Sequence, residues 1–287
     1  MKPKSKCMRK QTFTALFCLI AGASVVTFYS CQKEKVAKTP EQTTAIPQSV
    51  LNQIASLGFS TADVHTFGDD YLVEGDIRLS KADLSKGFSG PVLRVVDAEQ
   101  YRTTNLVTNL PRTIKIKVAS SLGSAFVSGT DLAISRYNAL GLSITLQRIT
   151  SGTADVTISG FNQGPSGGFI TLGSSGFPTS SGNPYNSIQM NTNSAAYGSN
   201  PDVNYVGSVI QHELGHCFGF RHTDYYNRAI SCGGSSSNEG TAGVGAILIP
   251  GTPSTATNAA NSFMLACSNG GNRTFNSNDI VALNYLY

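Results

Sequence analysis

Residues 212–224 read HELGHCFGFRHTD and contain three of the four histidines of the chain. His212 and His216 are four residues apart, so on a helix their side chains project from one face and can reach one metal ion. Gly219 can end this helix in the left-handed conformation and turn the chain back, which brings His222 to the same ion. The spacing predicts three histidine ligands and an open fourth position, as in catalytic zinc sites.

Glu213 lies beside the first of the two helical histidines. It is poorly placed to bind the metal itself, but it is well placed to take a proton from a water at the metal, as a general base does. A purely structural site has no use for such a group, because its fourth position is normally filled. The remaining histidine, His65, is expected to lie in a loop with no role at the metal.

The segment resembles the extended zinc motif of the metzincin peptidases. Ser262-Phe263-Met264 resembles the tight turn that these enzymes place beneath the zinc, with Met264 as its methionine, and residues 278–287 resemble the short closing helix of their matrixin branch. The wider sequence is similar to the bacterial dual-action HEIGH metallopeptidases over nearly everything after Gln48. That wider likeness rests on the end of the histidine motif, Ser231-Cys232, residues 249–253, and Met264 followed by Cys267.

This resemblance implies a zinc endopeptidase of the α+β class that acts on proteins or peptides as a monomer. It implies an upper lobe with a twisted, mostly parallel five-stranded sheet and two helices, above an irregular lower lobe that holds His222 and Met264 and ends in a short helix. One departure from astacin-like members is Ala266, which stands where they have an assisting tyrosine. Tyr225 or Tyr226 is a candidate for that role.

A second class of protein is compatible with the same ligands. In this reading the chain is a surface lipoprotein, such as an adhesin or scaffold, that keeps zinc as a structural or binding device. Glu213 beside three histidine ligands favours the peptidase, since a structural site needs no general base.

Alternating apolar residues predict three strands of the sheet, at residues 114–118, 142–146 and 155–159. A helix is predicted between the first two, because Ser128 and Asp131 form a capping-box pattern and Gly141 can end the helix. Strand, helix and strand in this order imply a crossover connection and a largely parallel pair. Asn200 as N-cap, Pro201 at the first helical position and Asp202 in the first turn predict the start of the helix that carries the histidines.

Residues 160–200 are rich in Gly, Ser, Asn and Pro, with short apolar islands at 169–172 and 187–190 that are candidate strands. One of them is expected to form an edge of the sheet. The candidate edge along which a peptide substrate would add as a strand is Phe169, Ile170, Thr171 and Leu172. The sequence leaves open whether these loops also bind calcium.

Residues 1–31 are typical of a bacterial lipoprotein signal peptide, with a basic start, an apolar run at 13–28 and Ser30 before Cys31. Cys31 is expected to carry lipid that binds a membrane, so the protein is expected to be exported, as an outer-envelope or cell-surface lipoprotein or a secreted protein. An uncleaved membrane anchor is the alternative, although the apolar run is short for a bilayer span. Residues 32–47 are predicted to be a flexible tether.

The net charge of +4 comes from this N-terminal stretch. Eight of the 21 basic residues and two of the 17 acidic residues lie before position 42, which leaves 13 basic and 15 acidic residues, a balance of about two negative charges. The rest of the chain therefore has no basic bias, and no nucleic acid is expected as a partner.

Residues 48–110 are predicted to be an accessory, propeptide-like region that precedes a catalytic domain at residues 111–287. Residues 73–77, VEGDI, resemble the propeptide motif of astacins, in which an aspartate after a glycine occupies the position of the water on the zinc. Asp76 is the matching residue, and a carboxylate is a good zinc ligand. An ordinary hairpin bend at Gly75-Asp76 is the alternative.

Such a latch would require proteolysis for activation. The stretch 98–112 is expected to be exposed, and Arg102 and Arg112 offer sites for a trypsin-like protease. A thiol latch of the matrixin type is excluded, because no cysteine lies between Cys31 and Cys217.

The cysteines predict one disulfide. Cys7 and Cys18 leave with the signal peptide and Cys31 is lipidated, so three thiols remain. In an oxidising compartment, one pair and one buried thiol is the natural solution. Cys232 is expected to pair with Cys267, because both lie in long loops, and Cys217 is expected to be the buried thiol.

Overall fold

The computed structural model of the protein describes residues 45–85, 100–166, 168–241, 243–253 and 261–287. The helices are α1 (Gln48–Ser56), α2 (Lys81–Ser85), α3 (Ser124–Asn138), α4 (Ser194–Tyr197), α5 (Val203–Phe218), α6 (Ala229–Cys232) and α7 (Ser277–Leu286). The strands are β1 (His65–Phe67), β2 (Asp70–Val73), β3 (Ile77–Leu79), β4 (Tyr101–Arg102), β5 (Arg112–Val118), β6 (Ile144–Ile149), β7 (Val156–Phe161), β8 (Gly173–Ser174), β9 (Ser187–Asn191) and β10 (Ile247–Leu248). We call residues 45–85 the accessory part and residues 100–287 the main part.

Five strands of the main part form one sheet in the order β6-β5-β7-β9-β8. The first four are parallel, and β8 runs antiparallel to β9 at the edge. Ile114 and Ile116 of β5 are fully buried, whereas Lys115 between them is exposed, because alternate residues of a strand point to opposite faces. The predicted five-stranded, mostly parallel sheet in a mixed α/β fold is confirmed.

Helices α3 and α5 pack against each other and against this sheet. They cross at two glycines. A Cβ at Gly129 would lie 2.9 Å from the side chain of Val206 and 3.0 Å from the backbone nitrogen of Gly207. A larger residue at Gly129 would therefore push the two helices apart.

Both long helices start at residues other than those predicted. Helix α3 begins at Ser124 instead of Ser128, because the burial of Phe126 extends the packed face by one turn toward the N-terminus. Helix α5 begins after Asp202 and not after Asn200. The Asp202 carboxylate caps the helix by accepting a hydrogen bond from a backbone N–H of the first turn at 2.8 Å.

The apolar core of the main part lies between the sheet and these helices and extends to α7. Tyr137 of α3 makes T-shaped ring contacts with Phe218 of α5 and with Phe263. Helix α7 begins with a capping box between Asn276 and Asp279, and it accounts for the predicted closing helix. Helix α5 is therefore packed into the same apolar core as the sheet, α3 and α7.

The accessory part contains α1, a three-stranded antiparallel sheet in the order β1-β2-β3, and α2. It has an apolar cluster of its own, which includes Ile54, Leu57, Val73 and Ile77. His65 lies in β1 and is exposed, so its assignment to a loop was wrong. Residues Ala45–Tyr287 form one compact unit.

The outer edge of the main sheet differs from the prediction. Residues 169–172 lie outside the named strands, and the edge strand is β8, which follows them directly. Phe169 is 63% exposed and forms an isolated bridge with Ser166. Only the end of the island reaches the sheet, where the Leu172 carbonyl accepts a hydrogen bond from the backbone N–H of Asn191 in β9 at 2.8 Å. The other predicted island forms β9.

Strand β3 of the accessory part lies against this edge. Ile77 and Ser175 form a parallel bridge next to β8. The backbone N–H of Ser175 donates to the carbonyl of Asp76 at 3.0 Å, and that of Arg78 donates to the carbonyl of Ser175 at 2.8 Å. The accessory part thus adds a short strand segment to the edge of the main sheet.

The predicted signal peptide with Cys31, and most of the predicted tether, lie outside the described residues. Within the described part, no helix combines the length and hydropathy needed to cross a membrane.

Candidate metal centre and active site

Helix α5 positions the first half of the site. His212, Glu213 and His216 lie in its last two turns, and the two histidines share one face because they are four residues apart. Gly219 follows with a φ of 105°, and a Cβ at this position would lie 3.0 Å from a neighbouring backbone oxygen. A glycine is therefore required for the left-handed turn that brings His222 back toward the helix.

The three histidines point their Nε2 atoms at one another. The Nε2 of His216 lies 3.0 Å from that of His212 and 3.2 Å from that of His222. Three nitrogens bound at about 2.0–2.1 Å to a tetrahedral zinc ion would be about 3.3 Å apart, so the observed spacing fits such an ion.

The other ring nitrogen, Nδ1, of each histidine is held by a hydrogen-bond acceptor. The acceptors are the carbonyl oxygen of Phe263 for His212 at 2.9 Å, that of Phe220 for His216 at 2.8 Å, and the Glu239 carboxylate for His222 at 2.8 Å. A carbonyl oxygen can only accept, so the Nδ1 of His212 and of His216 carries a proton, and the Nε2 atoms are turned to the centre. Three such nitrogens this close together are suited to hold a cation.

Asp76 of the accessory part completes the cluster. Its Oδ2 lies 3.2 Å from the Nε2 of His212, 3.1 Å from that of His222 and 3.9 Å from that of His216. Its Oδ1 is buried and has no hydrogen-bond partner among the described residues. The structure therefore brings together all four residues that the sequence predicts as ligands.

These charges shift the pKa values of the cluster in opposite directions. Burial alone would raise the pKa of Asp76, but the histidines, His222 first, hold it well below its usual range. Burial lowers the pKa of His216 to about 4, helped by the charges of the two other histidines. The pKa of His222 is well above its usual value, because Asp76 and Glu239 outweigh the effect of burial.

Glu213 is fastened between α5 and the edge of the sheet. The hydroxyl of Ser175 donates to its Oε2 at 2.7 Å, and a Cβ at Gly173 would lie 2.7 Å from its Oε1. Burial, followed by the negative charge of Asp76, raises the pKa of Glu213 well above its usual value. A buried carboxyl with a raised pKa next to histidine ligands is suited to hold and release a proton.

Met264 lies beneath the histidines. A Cβ on Gly215, in the middle of the motif, would collide with the Met264 sulfur. The turn is fixed by a hydrogen bond from the Met264 backbone N–H to the hydroxyl of Ser262 at 3.1 Å, and the Met264 carbonyl accepts from the N–H of Thr223 at 2.9 Å. The predicted methionine turn thus contacts both the helix and the segment after it.

A buried charged network, which sequence reasoning missed, surrounds His222. The guanidinium of Arg221 lies 3.0 Å from the Glu74 carboxylate and 3.7 Å from that of Glu239. Arg228 donates to Glu239 at 2.5 Å. Burial raises the pKa of Glu74 to about 8, and Arg221 opposes the rise most strongly. The one sequence feature that could have indicated this network is Arg221 inside the histidine motif, since an arginine that is buried needs a carboxylate as partner.

The cysteines near the site are divided between a bridge and a thiol. Cys232 and Cys267 form a disulfide, and Cys217 is a buried free thiol in α5. Of the two tyrosines considered for an assisting role, Tyr225 is buried with its ring 4.5 Å from that of Tyr101, and its ring also contacts Tyr226.

The two arginines predicted as activation sites do not lie in an exposed stretch. Arg102 is in β4, which pairs with β10, and Arg112 is in β5 with its guanidinium 2.9 Å from the Asp155 carboxylate. Both are half-buried. The prediction of an exposed stretch is wrong for residues 100–103, because they pair with segments that lie more than a hundred positions later, whereas residues 108–111 are exposed as predicted.

A search of curated proteins finds no match for the chain. The model of one protein family, described as dual-action HEIGH metallo-peptidase, matches residues 71–287. The chain belongs to the dual-action HEIGH metallopeptidases. This confirms the resemblance predicted from the sequence. The matched range includes the hairpin with Asp76 as well as the three histidines.

Among solved structures, that of myroilysin is similar to this HEIGH metallopeptidase, with 12% sequence identity and a TM-score of 0.32. The match covers 42% of this chain and 54% of that chain, so the chain spans about half the length of that structure.

Proposed function

We propose that the protein is a zinc-dependent endopeptidase of the metzincin kind, made as a latent precursor. The observation that carries the proposal is the convergence of three histidine Nε2 atoms beside the Glu213 carboxyl, with His212 and Glu213 lining a cleft of about 800 Å³. A cleft of this size, with a few convergent polar groups, suits a peptide segment. The two-lobed division of the main part, with the histidine helix above and Met264 below, belongs to this proposal.

Zinc, when bound by the three histidines, supplies a Lewis acid that polarises the scissile carbonyl and lowers the pKa of a water. Glu213 accepts the proton of the attacking water at its carboxylate and delivers it to the nitrogen of the leaving amine. The Ser175 hydroxyl and the close contact with Gly173 orient that carboxylate. His222 is oriented in turn by Glu239, since a hydrogen bond to Nδ1 fixes the ring.

The substrate is proposed to add along the edge at β8 and Ser175. There the backbone groups of Ser175 offer one donor and one acceptor, which is the pattern needed to add a strand. Residues 169–172 lead into this edge and line the cleft, so they remain close to the proposed path of the peptide. No calcium site is needed for this role, and calcium binding stays a prediction.

Latency is proposed because the accessory part occupies both places that a substrate needs. Asp76 lies at the metal corner, and β3 uses the backbone groups of Ser175. We place the boundary of the propeptide before Gln100 rather than after residue 110. Gln100 is buried and hydrogen-bonded to Ser262 at 3.0 Å, and thus belongs with the main part.

The rival proposal, a non-catalytic zinc-binding lipoprotein, makes a different prediction for Glu213. If the site is catalytic, Glu213→Ala will retain about one zinc per chain and lose about 10²- to 10⁴-fold in peptidase rate, the usual loss for a general base. His216→Ala will lose both zinc and activity. His65→Ala, an exposed histidine of the accessory part, is the matched control and should change neither.

These variants are best assayed in an Asp76→Ala background, so that latency does not mask activity, with zinc measured by elemental analysis. Undiminished peptide cleavage by Glu213→Ala would contradict the mechanism. Zinc binding without cleavage of any peptide in a broad library would favour the non-catalytic lipoprotein.

We further propose that residues 1–31 are a lipoprotein signal, that Cys31 carries the membrane anchor and that residues 32–47 are a tether. The motif at Ser30-Cys31 supports this proposal. Cys31→Ser should release the protein from the membrane fraction. A variant that stays membrane-bound and uncleaved would show that the anchor is of another kind.

A further inference from the structure

Glu74 reaches from the wall of the cleft into a buried basic pocket. Its side chain is fully buried, and its Oε2 accepts a hydrogen bond from Arg221 at 3.0 Å. The Glu74 carbonyl accepts another from Arg228 at 2.5 Å. One residue of the accessory part is therefore bound by two arginines of the main part, through its side chain and through its backbone.

Arg221 is held in place by groups that belong to the main part. It donates to the carbonyl oxygens of Thr241 at 3.0 Å and Gly245 at 3.1 Å. Its guanidinium lies 5.8 Å from the ring centre of Phe177 and 5.7 Å from that of Tyr225. The arginine is thus preorganised whether or not Glu74 is present.

Removal of the accessory part would leave this pocket short of negative charge. Glu74 would depart, together with Phe59, whose ring centre lies 6.0 Å from the Arg221 guanidinium. Two guanidinium groups would then share a single carboxylate, that of Glu239, which also serves His222. A buried cation without a partner is costly, so the pocket would favour a new carboxylate.

The same pocket opens onto the proposed path of the substrate. Arg228 and Glu239 line the cleft that also contains His212. Glu74 is two residues before Asp76, which lies at the metal corner and is bonded to the sheet edge through Ser175. A peptide in the place of the hairpin would therefore have a side chain near Arg221 within about two residues of the bond that is cut.

We propose that the Glu74 pocket is a subsite for an acidic side chain of the peptide substrate, in which Arg221 binds the carboxylate and Arg228 binds a backbone carbonyl of the same residue. This inference rests on the proposed latent peptidase and deepens it. It assigns Glu74 as a substrate mimic and Arg221 as a specificity-determining residue, because two guanidinium groups beside the single carboxylate of Glu239 favour an acidic side chain over a neutral one.

The test uses the full chain with a recognition sequence for a site-specific protease inserted after Ser85. After cutting, the accessory part is removed by gel filtration. Peptides that differ only by Glu or Gln at one position are then compared at each position on both sides of the scissile bond. We expect one position at which Glu raises kcat/KM by about 10- to 100-fold over Gln, the scale of a hydrogen bond to a charged partner.

A paired substitution tests the assignment to Arg221. Arg221→Gln is made together with Glu74→Gln, so that the precursor folds without an unpaired buried charge. The Glu-to-Gln ratio should then fall to about one at the same position. Arg148→Gln, which removes an exposed pair with Asp131, is the matched control and should keep the wild-type ratio.

The outcomes separate this inference from the proposed function. Cleavage of peptides with no preference for Glu at any position overturns the acidic subsite and leaves the peptidase intact, and it would mean that Glu239 alone neutralises Arg221. No cleavage of any peptide after the cut overturns the proposed function and the subsite with it. If Arg221→Gln does not fold, the comparison of Glu and Gln peptides on the cut wild-type enzyme still decides whether an acidic subsite exists.

Discussion

The main part and the accessory part meet at the metal corner. The interactions inside each part differ from the interactions between the two parts. The main part has a continuous apolar core from the sheet through α5 to α7. The accessory part has a small separate core, to which the main part contributes Phe177 and Val244 at the rim. At the site itself, the contacts between the two parts include the ion pairs of Asp76 with His222 and of Glu74 with Arg221. Away from the site, the ring of Phe67 also contacts that of Phe161.

Charged contacts at the site suit the accessory part, which in the proposed mechanism must be released from the main part. Burial of apolar surface favours association whenever water is present, whereas a buried ion pair adds little once both charges can be hydrated again. Charged contacts can be specific without making the separated parts much less stable. Apolar packing thus keeps the active site in shape, and ion pairs at the metal corner act together with apolar contacts at the rim to keep it closed.

The largest expected effect is on the closed state. Asp76→Ala in the uncut chain should raise peptidase activity by about 10²- to 10³-fold, because loss of one partner of a buried charged contact costs several kcal/mol. Asp69→Ala removes an exposed carboxylate from the turn between β1 and β2 of the same small sheet and is the matched control. Activity on a fluorogenic peptide is the measurement, and equal activity of wild type and Asp76→Ala would rule out Asp76 as the latch.

The next effect concerns the disulfide of the main part, which lies close to the segment that binds the Asp76 hairpin through Arg228. Cys232 and Cys267 are 35 residues apart, so replacing both by Ser should lower the free energy of unfolding by about 3–4 kcal/mol. Denaturant titration measures this change. Cys217→Ala, which alters a buried thiol outside the bridge, should cost less, and a larger loss there would contradict this assignment of roles.

A smaller effect compares the two cores directly. Ile54 in the accessory core and Ile116 in the main sheet are both fully buried, and Ile→Val at either should cost about 1 kcal/mol. Ile54→Val alone should also raise the residual activity of the uncut chain, by about fivefold if the loss falls entirely on the closed state. An equal rise for Ile116→Val would mean that the parts do not differ as described.

The smallest effect on stability is expected for a substitution of Met264, which lies next to the histidine helix. Met264→Leu conserves volume, so it should cost less than about 1.5 kcal/mol and leave the zinc content unchanged. Gly215→Ala is the contrasting change, since its Cβ would collide with the Met264 sulfur. Loss of zinc in Met264→Leu would show that the sulfur does more than fill space.

Much of the metal site could be predicted because it depends on local geometry. The four-residue spacing of His212 and His216 and the left-handed turn at Gly219 follow from the dimensions of one helix. The sheet was predictable for the same reason, since alternating residues mark each strand. The first residues of the helices and the edge strand were harder to predict from the sequence. The burial of Phe126 and the pairing of β8 depend on partners that are distant in sequence.

The chemical groups of this site can be read from the amino-acid sequence: three histidines with a glutamate, a methionine turn and a candidate carboxylate at Asp76. How these groups are oriented and covered depends on the folded chain. Ser175 on Glu213, Glu239 on His222 and Glu74 on Arg221 are pairs separated by 38, 17 and 147 positions. No local pattern marks such pairs, because a buried charge selects whichever partner the folded chain brings within hydrogen-bond distance.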